Sequence, residues 1–143
     1  MTRLVLLVPT LAALLLAGCG PSGCSSTPAP INSAAITNGC SSLAANAAVT
    51  INVPLCPPCT DTSPACSGEV VGGNTIELSP TVQQCSDNSG CDTTGCSVSG
   101  VTCTVSPNLV AGTTYTVTYL LPNDTTGQTS LTAVSGGPAS CSL

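Results

Sequence analysis

Cys56 and Cys59 enclose two prolines in the stretch C-P-P-C. This is the C-x-x-C spacing of thiol–disulfide chemistry. Redox work at that spacing needs one thiol made acidic by a helix N-terminus or a neighbouring cation. The sequence offers neither. Pro57, Pro58 and Pro64 prevent a helix from starting cleanly here. The only basic side chain is Arg3, and there is no histidine. A structural role for both cysteines is the reading we adopt, and a redox protein using Cys56 and Cys59 is the alternative.

Metal binding is the second chemistry that cysteines allow. Cys56, Cys59 and Cys66 form C-x2-C-x6-C, and Cys85, Cys91, Cys96 and Cys103 form C-x5-C-x4-C-x6-C. Structural zinc sites use two close cysteine pairs, or cysteines with histidines. This chain has one close pair and no histidine. We therefore expect no metal and no cofactor, with a metal-binding protein as a further alternative.

Acid–base or nucleophilic catalysis has little to work with. The acids are Asp61, Glu69, Glu77, Asp87, Asp92 and Asp124. Glu77 lies between Ile76 and Leu78, which places it on the outer face of a strand. Serine and threonine are abundant, but no base is available to activate them. No catalytic residue is expected, and the chain does not read as an enzyme. Asp, Asn and Gly at 87–92 and 123–127 could offer oxygens to calcium, yet they do not follow the EF-hand spacing. They are ordinary turn formers.

Charge excludes further classes. The formal net charge is −5, with one Lys or Arg in 143 residues. Nucleic-acid affinity comes largely from Lys and Arg neutralising phosphates, so no nucleic-acid partner is expected. Attraction to anionic lipid fails for the same reason. The fold must rest on apolar burial, backbone hydrogen bonds and disulfides. With no Phe or Trp and two Tyr, its core must come from Val, Leu, Ile and Ala.

The elements that hold these residues are strands. Residues 48–53, A-V-T-I-N-V, alternate apolar and polar. Residues 69–79 read as two short strands joined at Gly72-Gly73-Asn74. Residues 97–106 are a strand with a bulge at Gly100, 113–121 the strongest strand, and 129–134 the last. A short helical turn is expected over 41–48. Proline and cysteine make 54–68 a stapled loop, and 85–96 a second one. Regular strand spacing with almost no helix predicts an all-β sandwich.

The N-terminal apolar run extends from Leu4 to Ala17, 14 residues. As a helix it would reach roughly 21 Å, short of the roughly 30 Å hydrocarbon core of a bilayer. It has the length of a secretory signal, with Arg3 as the positive start and small residues before the cut. Leu16-Ala17-Gly18-Cys19 resembles the lipobox of bacterial lipoproteins. That resemblance implies a diacylglyceryl group on the Cys19 sulfur, removal of residues 1–18, and a cell-envelope location. It implies the outer membrane or cell surface rather than the inner membrane, since Gly20 stands where inner-membrane lipoproteins often carry Asp. Each buried CH₂ contributes about 0.8 kcal/mol, so two or three acyl chains anchor firmly without a transmembrane segment.

Three segments follow: a signal peptide at 1–18, a Ser/Pro/Gly-rich tether at 19–39, and a cysteine-rich β domain at 40–143. Setting Cys19 aside leaves ten cysteines: Cys24, Cys40, Cys56, Cys59, Cys66, Cys85, Cys91, Cys96, Cys103 and Cys141. An even set in an exported chain reads as a disulfide framework. It allows roughly 945 connectivities, by extension of the count for eight cysteines. One pairing considered for Cys24, which sits in the tether, is with Cys40.

Residues 109–119, L-V-A-G-T-T-Y-T-V-T-Y, resemble a segment of bacterial immunoglobulin-like and fibronectin type III domains. There an L-x-x-G-T-x-Y turn leads into a late strand. The resemblance implies an immunoglobulin-like sandwich, with Leu109 plugging the core and the Tyr115 hydroxyl bonded back to nearby backbone. The chain departs from that pattern in lacking a core Trp and carrying two cysteine-rich loops. The expected function is a lipid-anchored envelope protein whose β domain is a structural or interaction module. Uncharged Thr/Ser faces would suit a protein or glycan partner.

Overall fold

The computed structural model of the chain describes residues 24–55, 64–85 and 99–143. They form nine strands: β1 (Cys24–Pro28), β2 (Ser42–Ala44), β3 (Val49–Leu55), β4 (Ala65–Val71), β5 (Thr75–Cys85), β6 (Ser99–Ser106), β7 (Thr114–Leu120), β8 (Thr126–Val134) and β9 (Ser140–Ser142). The helical elements among the described residues are two single 3-10 turns, Ser33–Ala35 and Pro122–Asp124. The fold is all-β.

Period-two patterning builds the strands. In β3, Val49, Ile51, Val53 and Leu55 are buried, while Thr50, Asn52 and Pro54 are half-buried. In β7, Tyr115, Val117 and Tyr119 point inward. The β4–β5 hairpin turns at Gly72 and Gly73, whose φ values of 58° and 92° favour glycine.

All strands join one mixed sheet in the order β2-β8-β7-β5-β4-β6-β3-β9, with β1 beside β5. The β2/β8, β5/β7, β4/β6 and β3/β9 pairs are parallel, and the remaining pairs antiparallel. Strand β4 pairs along 75–81 of β5, so β7 (at 75–78) and β1 (at 81–85) share the opposite edge in succession. The sheet's two ends come together. The Ala44 N–H donates to the Pro138 carbonyl at 2.7 Å, and the Thr50 N–H donates to the Ala139 carbonyl at 2.9 Å. Residues 138–139 therefore bridge β2 and β3, and the sheet is barrel-like, a device that leaves few exposed edges.

Aliphatic residues fill the interior as composition requires, including Ile31, Leu43, Ile51, Leu55, Ile76, Leu109 and Leu131. Both tyrosines join them, at 2% exposure for Tyr115 and 7% for Tyr119. Among the described residues no polar or charged side chain is buried.

Several local expectations change. Of the loop expected over 54–68, Pro54 and Leu55 end β3 and residues 65–68 open β4, held by pairing with β6 and β5, and β9 follows the strand at 129–134 that was expected to be last. Residues 42–44 are strand β2, parallel to β8, where a helical turn was expected; tertiary pairing outweighs the helix propensity of so short a segment. Gly100 makes no bulge, since it pairs in unbroken register with Pro54. Residues 24–39, expected as tether, belong to the folded body. They carry β1, and Ala29 and Ile31 are wholly buried. The Ala29 N–H donates to the Pro80 carbonyl (2.9 Å), that of Ile31 to the Leu120 carbonyl (2.8 Å) and that of Asn32 to the Pro54 carbonyl (2.9 Å). An edge strand tolerates Pro28 and Pro30, because it need pair on one side only.

Candidate functional site

Two disulfides stand among the described residues. Cys66–Cys103 joins β4 to β6, with Cα atoms 4.5 Å apart, immediately before the parallel pairing that begins at Ser67 and Thr104. Cys40–Cys141 ties the residues before β2 to β9, with Cα atoms 5.0 Å apart and a sequence separation of 101. It fastens the meeting point of the sheet's two ends. In the loop-entropy picture a bond closing that many residues stabilises by about 4.7 kcal/mol, and one closing 37 by roughly 4 kcal/mol. The Cys40–Cys141 bond overturns the Cys24–Cys40 pairing: Cys40 is buried and β9 brings Cys141 beside it.

Cys24 and Cys85 occupy directly opposed backbone positions of β1 and β5. Cys19, Cys56, Cys59, Cys91 and Cys96 lie outside the described residues, as does the whole signal segment.

The pairing of β4 with β5 sets Glu69 directly opposite Glu77. Both side chains are exposed. Opposed positions in an antiparallel pair place Cβ atoms about 4.5–5.5 Å apart, so these like charges repel. They are the only two glutamates of the chain. The period-two pattern puts Glu77 on the outer face, as observed, but its partner eight residues earlier, across the hairpin turn, needs the register to be known.

A groove of about 340 Å³ opens where β7 gives way to β1 along β5. Pro28, Leu78, Pro80 and Tyr119 contribute its apolar wall, and Glu77, Thr118 and Thr126 its oxygens. The Thr118 hydroxyl donates to the Ile76 carbonyl at 3.4 Å. Among the described residues that line it, Glu77 is the charged one. The groove could receive hydrogen-bond donors from a polar, uncharged ligand, and among the described lining residues no nucleophile stands beside a base. Among the described residues no three His, Cys, Asp or Glu side chains converge as metal ligands do.

The turn into β7 has the geometry expected of Leu109 and Tyr115. Leu109 is fully buried. The Val110 N–H donates to the hydroxyl of Tyr115, five residues further along the chain, at 2.9 Å. Within the 123–127 stretch, residues 123–125 turn the chain, with Asn123 and Asp124 at φ of 66° and 57°, and Thr126 and Gly127 open β8. The Leu121 N–H donates to the Thr125 carbonyl at 2.7 Å.

No protein-family model, curated protein or solved structure matches this chain.

Proposed function

We propose that this chain is a lipid-anchored protein of the bacterial cell envelope, whose disulfide-held β domain serves as a structural or interaction module. One observation carries the reading. A positive residue, a 14-residue apolar run and Leu16-Ala17-Gly18 precede Cys19 in the order of a secretory signal that ends in a lipobox-like sequence. The disulfides of the domain support it, since such bonds persist in oxidising compartments. No described helix is long and apolar enough to cross a membrane.

The immunoglobulin-like kinship of the domain belongs to the same proposal, supported by the Tyr115–Val110 bond and the buried Leu109 plug. The partner of such a module is a protein or glycan, met through its Thr/Ser faces and the groove beside Glu77. With β1 beginning at Cys24, four residues separate it from Cys19. At most about 3.6 Å per residue, the domain would stand within roughly 18 Å of the lipid.

The experiment is metabolic labelling with a fatty acid in a bacterium that processes lipoproteins. The native chain is expected to take up label and partition into detergent. The Cys19→Ser chain is expected to do neither. Label retained by Cys19→Ser, or absent from the native chain, overturns the proposal.

A further inference from the structure

The backbone register of β1 on β5 points to a third disulfide, Cys24–Cys85. The two residues are direct partners, and the pairing continues unbroken through Ser25↔Gln84, Ser26↔Gln83, Thr27↔Val82 and Pro28↔Thr81. Antiparallel partners alternate between hydrogen-bonded positions and non-hydrogen-bonded ones, where the Cα atoms come closer, near 4.5 Å. The Ala29 N–H donates to the Pro80 carbonyl, which makes 29/80 a hydrogen-bonded position. Counting back along the ladder, 27/82 and 25/84 are also hydrogen-bonded. Positions 28/81, 26/83 and 24/85 are not. Cys24 and Cys85 therefore sit at a close position, and its Cα spacing lies within the range a disulfide spans. Four other cysteines are engaged in the Cys40–Cys141 and Cys66–Cys103 bonds.

The consequence concerns the arm. Strand β1 holds only part of one edge of β5, beyond the end of β7. A covalent bond at its first residue closes 61 positions of chain (85 minus 24) and stops the arm from peeling away from its free end. Under the lipid-anchor reading, that end lies five residues after Cys19, so the clamp would carry the load between anchor and domain. The bond itself does not depend on the lipid; it needs only the oxidising conditions that the two other disulfides require. As the S–S bond forms, the two thiols lose two protons and two electrons. A protein-disulfide oxidant accepts them and leaves as a dithiol.

The test uses the full chain exported in a bacterium, denatured without reductant and alkylated. Cleavage after Glu77 and Asp87 isolates residues 78–87, in which Cys85 is the single cysteine. In the native chain this peptide is expected to carry no alkyl group. In Cys24→Ser it is expected to carry one, and in Cys85→Ser the label is expected on Cys24. If either variant fails to accumulate, fragmentation of the unreduced native digest is expected to locate the Cys24–Cys85 link directly. An alkylated Cys85 in the native chain, a label on a different cysteine in the variants, or Cys85 linked to another cysteine overturns the assignment.

Discussion

Tyr115 and Val110 close the turn into β7 upon itself. The phenol ring is buried in the core, and its hydroxyl accepts the Val110 N–H at 2.9 Å. The Val110 side chain is 60% exposed, so it is the backbone of this residue that the turn uses. The preceding Leu109 is buried, and its carbonyl accepts the Asn46 N–H at 2.8 Å. One short segment thus fixes the entry to β7 and links it to the turn after β2.

Tyr115→Phe keeps the ring and removes the acceptor. The Val110 N–H, partly buried, loses its partner. The expected cost is about 1–3 kcal/mol. Denaturant unfolding would show a lower midpoint with an unchanged slope. An unchanged midpoint would show that water satisfies the N–H equally well.

Tyr119 and Gly127 are register partners on β7 and β8, and the tyrosine ring covers the glycine. A Cβ at Gly127 would collide with ring atoms of Tyr119, including Cε2 and Cζ. At Gly100 a Cβ would meet nothing closer than the Val53 carbonyl oxygen, at 4.0 Å. Gly127→Ala is expected to destabilise by about 1–3 kcal/mol through overpacking. Gly100→Ala is expected to be neutral or to stabilise by up to about 1 kcal/mol, through the less flexible unfolded chain. Thermal unfolding of the two variants side by side checks the contrast; equal melting temperatures would contradict it.

Glu69 and Glu77 face each other with no basic side chain anywhere after Arg3 to relieve them. Glu77→Gln removes one charge and keeps the shape. At neutral pH and low salt it is expected to stabilise the domain by about 0.2–1 kcal/mol. The gain is expected to shrink as added salt screens the pair. Unfolding midpoints at low and high ionic strength test this, and a loss of stability in the variant would contradict it.

The strand content was legible because apolar residues alternate. Val49 to Leu55, Thr75 to Leu78 and Thr114 to Leu120 announce their inner faces directly. The Gly72-Gly73 turn was legible because glycine marks positive φ. The turn at 109–115 was legible through its resemblance, down to the buried Leu109 and the hydroxyl of Tyr115. Other features were not. Strand β1 offers C-S-S-T-P, with nothing apolar to mark a face; the ladder of β5 makes it a strand. Strand β9 spans three residues and owes its place to β3 and to Cys40. The closing of β2 and β9 into a barrel-like sheet is a property of the seven pairings between them taken together. Disulfide partners and the Glu69–Glu77 opposition depend on register, which local patterning leaves unset.

The central claim is that residues 1–18 are removed, that Cys19 carries lipid, and that the ten cysteines beyond it are oxidised. The intact mass of the membrane-extracted protein, recorded before and after reduction, tests all three together. The account predicts a chain beginning at Cys19 with the added mass of acyl groups, gaining two hydrogens for each of five disulfides on reduction (ten cysteines taken in pairs). A chain still carrying Met1, a Cys19 without acyl mass, or a mass unchanged by reduction would contradict it.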